Sequence, residues 1–579
     1  MARTDPSDVF YGTSGPKNAR IMQVAESWGK TEETKLIPLC GQSGQANDVL
    51  LSECGLNRDD IFSTNVVSAK PAGNDMKQFF HPTSYGNAQR LTKMKGLFPK
   101  PIVVEGVAVL RKQLEIVKPD IIIAYGNYAL WALTDDCFNI GDELGYKIPT
   151  GITQWRGSQL YCSDEMGGYK LLPTYHPAAW QRQWVWRYTV RHDLRTRLPL
   201  ALADNWGPPA YQFQLRPTFE QTTSQLLSLI EQVEIDGSLF LSSDLETRGG
   251  HIACIGLAWS ELQAICIPFM CVEKKEGYWL EHEEIEIIRL LRKLLTHPGV
   301  KVIGQNYLYD AQYIALWWQV LSTCWRDTMY THWVCWPGTP KGLAYLSSMY
   351  CLYHRYWKDE GKDWNAKMPE EILWNYNCID AVTTFECNKV LISTAKQLGL
   401  EEQVQDQMDD FPMLLDMMLR GVKQDLIARA QVLEELMAVI EQKETEIAPM
   451  IPEDVWPRIP KAAPWYRSDT QQRQIFYDVL GQKVRRSRQK RRPSVNAECL
   501  AQIGQAEPLL RHITVRLEEL RSLDKFREVC VWKLDPDQRA RCSYDPSGTK
   551  TFRYNSKKSA FGTSGNMQNI SKGHEDFHD

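Results

Sequence analysis

The stretch Leu239–Trp259, LFLSSDLETRGGHIACIGLAW, constrains the fold more than any other part of the chain. Two apolar runs flank a Gly-Gly pair, the pattern of two paired strands with a tight turn between them. Asp244 and Glu246 stand two positions apart near the end of the first run, so on an extended backbone both side chains leave by the same face. Like charges held that close repel unless a cation lies between them. The alternative is a strand end whose carboxylates simply reach solvent, and the pair alone does not decide between the two.

At 579 residues the chain is long enough for several domains at ~150 residues each. Hydrophobic residues at 43% and charged residues at 24% match ordinary globular usage, so each part can bury a core. The net charge of -4 means that any contact with nucleic acid must come from local basic patches. The 15 cysteines are scattered with no C-x-x-C, which argues against a zinc ribbon or disulfide framework and fits reduced thiols. MARTDPSDVF lacks a signal-peptide core, and no apolar run reaches the ~18 residues of a membrane span. A cytoplasmic protein without a membrane partner is expected.

The texture predicts an α/β multidomain chain. Residues 18–200 alternate short apolar runs with helical segments, as in a mostly parallel sheet. Residues 201–234, with ADNWGPPAYQFQLRPT, read as a linker and lead-in because Gly and Pro interrupt regular structure. Strands and helices mix again over 235–398, and 399–579 is mostly helical. The run QKVRRSRQKRRPS is strongly basic, with a solvated loop as its plain alternative.

Two further segments carry acids. KVIGQNYLYDAQYIALWW reads as a strand ending at Gly304 and a helix with Asp310 near its start. MPEEILWNYNCIDAVTTFECNKVLISTAKQLG reads as a long helix with Pro369 at its first position and Gly399 as its stop. Tyr376 and Asp380 are four apart and share a face of that helix.

In this order, D-x-E on a strand, N-x-x-x-D on a helix and Y-x-x-x-D on a later helix resemble the proofreading 3'-5' exonuclease domain of family A DNA polymerases. The resemblance runs from about Phe240 to Lys396, and the intervening text, including WKDEGK, is similar to phage polymerases. It implies a ribonuclease-H-like domain in which Asp244, Glu246, Asp310 and Asp380 bind two Mg2+ or Mn2+ ions. Tyr376 would then orient the attacking water, and Asn306 would position the turn or the substrate. Phosphodiester hydrolysis needs a nucleophile at neutral pH and stabilised charge on both reacting oxygens, which two hard cations on carboxylates supply.

DFPMLLDMMLRGVKQD resembles the entry to the polymerase part of family A enzymes, and SDTQQRQIFYDVLGQ with the later RRPSVNAECLAQIG is similar to their thumb. In that setting Arg485, Arg486, Arg488 and Arg491 would grip duplex phosphates. Arg553, Ser556, Gln568 and Asn569 match positions that touch primer and template. Palm carboxylates and a fingers helix are absent from this sequence, so polymerisation is not expected of this chain alone. The implied partners are single-stranded DNA or a frayed 3' end, a primer-template duplex, and a separate palm-fingers chain.

At the N-terminal end, IMQVAESWG, KPDIIIAYGNYALWAL and LPTYHPAAW resemble family 4 uracil-DNA glycosylases over about Asn18 to Leu198. Such enzymes flip a base into a pocket and cleave its glycosidic bond. The resemblance implies that Glu26 acts on the attacking water, Asn65 hydrogen-bonds uracil and His176 stabilises the leaving base. Leu39 stands where that family has an aromatic residue that stacks on the base, and the N-terminal pair of cluster cysteines is missing, so no iron-sulfur cluster is expected. The expected function is a metal-dependent 3'-5' exonuclease in replication and proofreading. A uracil-DNA glycosylase repair protein and a non-catalytic DNA-binding scaffold are the alternatives.

Overall fold

The structure, a computed structural model, describes residues 5–81, 94, 96–134, 151–274, 276–455, 463–487 and 492–570. The chain forms two compact units, Met1–Asp409 and Asp410–Asp579.

Among the described residues the first unit holds, besides a short two-stranded sheet of Phe80–His81 with Phe98–Pro99, two large sheets. One contains β1 (Ile21–Ser27), β2 (Ile61–Val67), β3 (Ile121–Tyr125), β4 (Leu160–Tyr161) and β5 (Lys170–Thr174), in the order β2-β1-β3-β5-β4. All but β4 run parallel. β2 and β3 are buried along their whole length, as parallel strands covered on both faces must be. Helix α1 (Pro101–Val117) starts with Pro101 at its first turn, and α2 (Val185–Leu202) closes this region.

The second sheet has the order β11-β10-β7-β8-β9-β6. Its strands are β6 (Gln212–Gln214), β7 (Leu239–Arg248), β8 (His251–Ala258), β9 (Gln263–Pro268), β10 (Val300–Gly304) and β11 (Arg326–Asp327). β7, β8 and β9 form an antiparallel meander, and β10 joins β7 in parallel. The stretch expected as linker departs from that reading. β6 pairs with Gln263–Ile265 at the sheet edge, and α3 (Phe219–Asp236) follows at once. Thr218 accepts from the Gln221 N–H while the Gln221 side chain accepts from the Thr218 N–H, a reciprocal cap that starts α3 despite the prolines before it.

Helices beside this sheet include α4 (Leu308–Trp318), α5 (Leu343–Tyr350), α6 (Lys358–Asp363) and α7 (Glu370–Leu398). α7 ends at Gly399, whose φ of 68° places it in the left-handed region glycine favours. Pro369 sits at its N-cap, one residue before the position expected.

The second unit is mostly helical. Leu436 and Ile440 of α8 (Leu426–Ile447) pack on Leu520 and Leu523 of α10 (Arg511–Cys530). Helix α9 (Ala497–Ala506) adds Leu500 and Ile503 to a cluster with Trp465, Phe476 and Leu517. A hairpin of Cys542–Asp545 and Asn555–Lys558 follows. Among the described residues no helix is long and apolar enough to cross a membrane.

Candidate active site

Asp244 and Glu246 lie within β7 rather than at its end, because pairing with β8 continues through Thr247 and Arg248. Opposite Asp244 in the register stands Gly256. A Cβ there would come within 2.6 Å of the Asn377 Oδ1 and 3.0 Å of the Asn377 carbonyl oxygen. The bare backbone therefore lets α7 lie directly on the sheet. Asn377 is fully buried, and its Nδ2 donates to the Asp244 carbonyl oxygen at 3.1 Å and to the Asp244 Oδ2 at 2.9 Å. Asp380, three residues on, is carried over the same strand. Carboxylate oxygens of Asp244, Glu246 and Asp380 consequently lie within 4.8 Å of one another.

Asp310 stands beside this trio rather than in it. It is 5% exposed in the first turn of α4, and its Oδ1 accepts from the Leu245 N–H at 2.7 Å. That bond ties α4 to the residue between the two strand acids. Asn306 adopts φ 59° in the turn from β10 into α4, a left-handed conformation that asparagine tolerates. The next residue, Tyr307, donates its N–H to the Asp327 Oδ2 at 2.7 Å.

Two neighbours escaped the reading of the sequence. Trp357 Nε1 donates to the Asp380 Oδ1 at 2.6 Å, and Lys358 Nζ donates to the Tyr376 hydroxyl at 3.0 Å and to the Asp380 Oδ2. Their WKDEGK string was visible as a resemblance, but no spacing rule ties it to a helix twenty residues later. Gly361 of α6 rests on the Tyr376 ring, where a Cβ would meet ring carbons at 2.8 Å.

Burial and the charge of Asp380 push the Asp244 carboxyl up to about 7. Burial, then the charges of Asp244 and Asp380, raise Glu246 well above the carboxylate range. Burial and Asp244 do the same to Asp310. Burial works against the Lys358 ammonium, yet the Asp380 and Asp244 carboxylates outweigh it and keep it charged. Such a cluster of hard oxygen donors, crowded with like charge, fits divalent cations such as Mg2+ or Mn2+.

The parallel sheet builds a second constellation at the carboxyl ends of its strands, where α/β folds place ligands. Glu26 lies near the end of β1, half-buried, Asn65 lies near the end of β2, Gly126 follows β3 and His176 follows β5. Glu26, Asn65, Gly126 and His176 line one cavity of about 770 Å³. Gly126 has φ 88°, and a Cβ there would fall 2.4 Å from the Glu26 Oε1 and 3.3 Å from the His176 Cβ. Asn65 is 4% exposed, and its Nδ2 has no hydrogen-bond partner among the described residues, an arrangement rare enough to need a reason. His176 Nδ1 accepts from the Ala178 N–H at 3.2 Å, which leaves the proton on Nε2. Burial lowers His176 to about 4, so the ring is neutral. Leu39 lines the same cavity at φ 50°, and Trp28 and Tyr128 supply aromatic wall.

In the second unit, Arg486 is exposed and bridges to Pro493, and Arg485 is partly buried. Arg488 and Arg491 lie outside the described residues. Arg553 is exposed, its backbone held at both N–H and carbonyl by Thr549 Oγ1. Gln568 departs from a free substrate contact: its amide accepts from the Ser556 N–H at 2.9 Å and donates to the Tyr554 carbonyl at 3.0 Å, so it holds the hairpin. Asn569 lines a cavity of about 760 Å³ with Lys525, Lys533 and Lys558.

Comparison with known proteins follows the same division. Residues 218–394 match the family described as 3'-5' exonuclease, of the DNA polymerase A type. This stretch is similar to a 3'-5' exonuclease domain. Residues 13–194 match the uracil DNA glycosylase superfamily and form a glycosylase-like domain. Relatives include the type-4 uracil-DNA glycosylase of Thermotoga maritima, 29% identical over 172 residues that cover 30% of this chain and 71% of the relative. The type-4 enzyme of Archaeoglobus fulgidus is 29% identical over 167 residues, 28% of this chain and 68% of the relative. Among solved structures, the POL domain of Pol1 from M. smegmatis, in complex with DNA primer-template and dNTP, superposes with a TM-score of 0.44 at 14% identity. That alignment covers 63% of this chain and 57% of that one.

Proposed function

We propose that this chain releases nucleotides from the 3' end of DNA by metal-assisted hydrolysis at the acid cluster of its exonuclease domain. The observation that carries the reading is the approach of Asp244, Glu246 and Asp380 oxygens to within 4.8 Å. These three, with Asp310 beside them, would hold two divalent ions, Mg2+ or Mn2+. Bound there, hard cations supply a nucleophile at neutral pH and neutralise charge on the entering and leaving oxygens. Asn377 fixes the Asp244 carboxylate, Lys358 holds the Tyr376 hydroxyl, and Tyr376 orients the attacking water. Single strands and frayed ends are the substrates such a site accepts. The lysines beside Asn569, with Arg485, Arg486 and Arg553, would hold duplex phosphates through counterion release.

Digestion of 3'-labelled single strands tests this directly. Degradation should require Mg2+ or Mn2+, stop in EDTA, and vanish in a folded Asp244→Ala variant. Digestion that persists in EDTA, or a fully active variant, overturns the reading.

The glycosylase-like domain supports a second reading, in which its cavity takes a flipped uracil. The unpartnered Asn65 amide and the Nε2–H of a neutral His176 favour it, since they offer donors to the edge of a base and to the negative charge it carries as its C–N bond breaks. Excision from a uracil-containing oligonucleotide, read by alkaline cleavage, is the corresponding assay.

A further inference from the structure

Residues 351–357 connect α5 to α6, and this short segment belongs to both domains of the first unit. Tyr356 is buried in the core of the glycosylase-like domain, with its ring 5.2 Å from that of Trp155. The next residue, Trp357, is buried in the exonuclease core with Leu343 and Tyr376. Gln159 donates its N–H to the His354 carbonyl at 2.7 Å and accepts the His354 N–H on its side chain at 3.1 Å. Ser158 Oγ accepts the Tyr356 N–H at 3.1 Å.

Just upstream, the end of α5 is capped from the other domain. The last carbonyls of a helix have no partner within it. Here Arg197 of α2 donates to the carbonyls of Ser348 at 3.0 Å, Cys351 at 3.0 Å and Leu352 at 2.5 Å. Arg156 pairs with Asp193 and also donates to Ser348 Oγ at 2.8 Å. Arg156 and Arg197 are each 2% exposed and Asp193 is fully buried. Gly157, at φ 72°, fits where a Cβ would lie 2.9 Å from the Asp193 Oδ1. The bonds of Arg197, the Arg156 bond to Ser348 and those of Ser158 and Gln159 all cross to the segment that leads into Trp357 and Lys358, two donors to Asp380.

We propose that Arg197, Ser158 and Gln159 are positioning residues of the exonuclease, through which the glycosylase-like domain holds Trp357 and Lys358 against Asp380. The glycosylase-like domain is then a structural part of the nuclease centre, whether or not its own cavity turns over a base. This rests on Asp380 belonging to that centre.

Full-length Arg197→Ala, Arg197→Lys and a Ser158→Ala/Gln159→Ala double variant test it by two readouts. One is the Mn2+ concentration for half-maximal digestion of a 3'-labelled single strand. The other is hydrogen exchange of the amides of residues 350–360 without metal. Losing outer partners of a metal site typically changes affinity or activity about 10-fold or more. Arg197→Ala should raise the half-maximal Mn2+ concentration by about that factor, with Arg197→Lys recovering part of it. The double variant should shift in the same direction, and exchange should quicken in 350–360 while amides of β7 and β8 stay protected. If Arg197→Ala does not fold, the double variant decides, since it removes only two acceptors. Wild-type Mn2+ dependence and unchanged exchange in a folded double variant overturn the proposal. Asp244→Ala run alongside separates the two failures: an active Asp244→Ala removes the site assignment, whereas an inactive one with a wild-type double variant removes only the positioning role.

Discussion

The acid cluster on β7 and the cavity at the ends of β1, β2 and β5 share one unit and are built on opposite electrostatics. In the first, burial and like charge raise Asp244, Glu246 and Asp310, so the site is incomplete without positive charge. In the second, burial keeps His176 neutral and Asn65 offers an amide donor, so the site calls for a neutral hydrogen-bonding group rather than a cation. A phosphodiester brings negative charge and its hydrolysis creates more, whereas a flipped base is neutral and needs only hydrogen bonds at its edge. The difference teaches that chelators should divide the two proposed activities.

Reciprocal loss is the most severe way to break that comparison. Asp380→Asn keeps the side-chain volume but removes one of the three clustered charges, and should lower metal-dependent digestion about 100-fold or more. Uracil excision in EDTA should be untouched. His176→Ala should do the reverse, lowering excision about 100-fold while digestion of 3'-labelled strands proceeds. Equal losses of both activities in either variant would mean that the two constellations do not act separately.

A smaller effect sharpens the role of one hydroxyl. Tyr376→Phe leaves the ring under Gly361 and removes only the oxygen that accepts from Lys358. Digestion should slow about tenfold, with little change in the Mn2+ concentration for half-maximal rate, because no carboxylate is lost. An unchanged rate would remove Tyr376 from water orientation.

What the sequence disclosed follows from what periodicity can carry. Asp244 with Glu246, and Tyr376 with Asp380, were legible because periods of 2 and 3.6 fix which face a side chain takes. Glu26, Asn65 and His176 were legible only by resemblance, since a parallel sheet gathers strand ends that lie far apart in sequence. Asn377 was hidden: its bond to Asp244 exists only because Gly256 lets α7 approach. Trp357 and Lys358 were hidden for a similar reason, as they reach Asp380 through a segment anchored in another domain. The supposed linker held a T-x-x-Q helix start at Thr218, a local signal outweighed by its prolines. Asp310 was placed correctly near a helix start, but its competition for the Leu245 N–H is a tertiary event that no spacing announces.

The gentlest test of the comparison is the pH dependence of stability without metal. A carboxyl whose pKa is higher in the fold than in the unfolded chain favours the fold while protonated. That contribution is present below the unfolded value near 4 and is lost as pH rises through the folded value, about 7 for Asp244. Glu246 and Asp310 are raised and act in the same sense. Buried neutral histidines run the other way: His176 and His332, both lowered to about 4, cost stability as pH falls from about 6.5 toward 4. The wild-type profile therefore mixes the two, and the difference between Asp244→Asn and wild type isolates the cluster. Denaturant melts in EDTA should show the variant more stable at pH 8 by about 1 to 4 kcal/mol, with the gap closing toward pH 4. Saturating Mn2+ should shrink the gap at pH 8, because cations then neutralise the charge that Asp244→Asn removes. A variant no more stable than wild type at pH 8 in EDTA would mean that the three carboxylates are not in electrostatic conflict, and the contrast between the two sites would lose its physical basis.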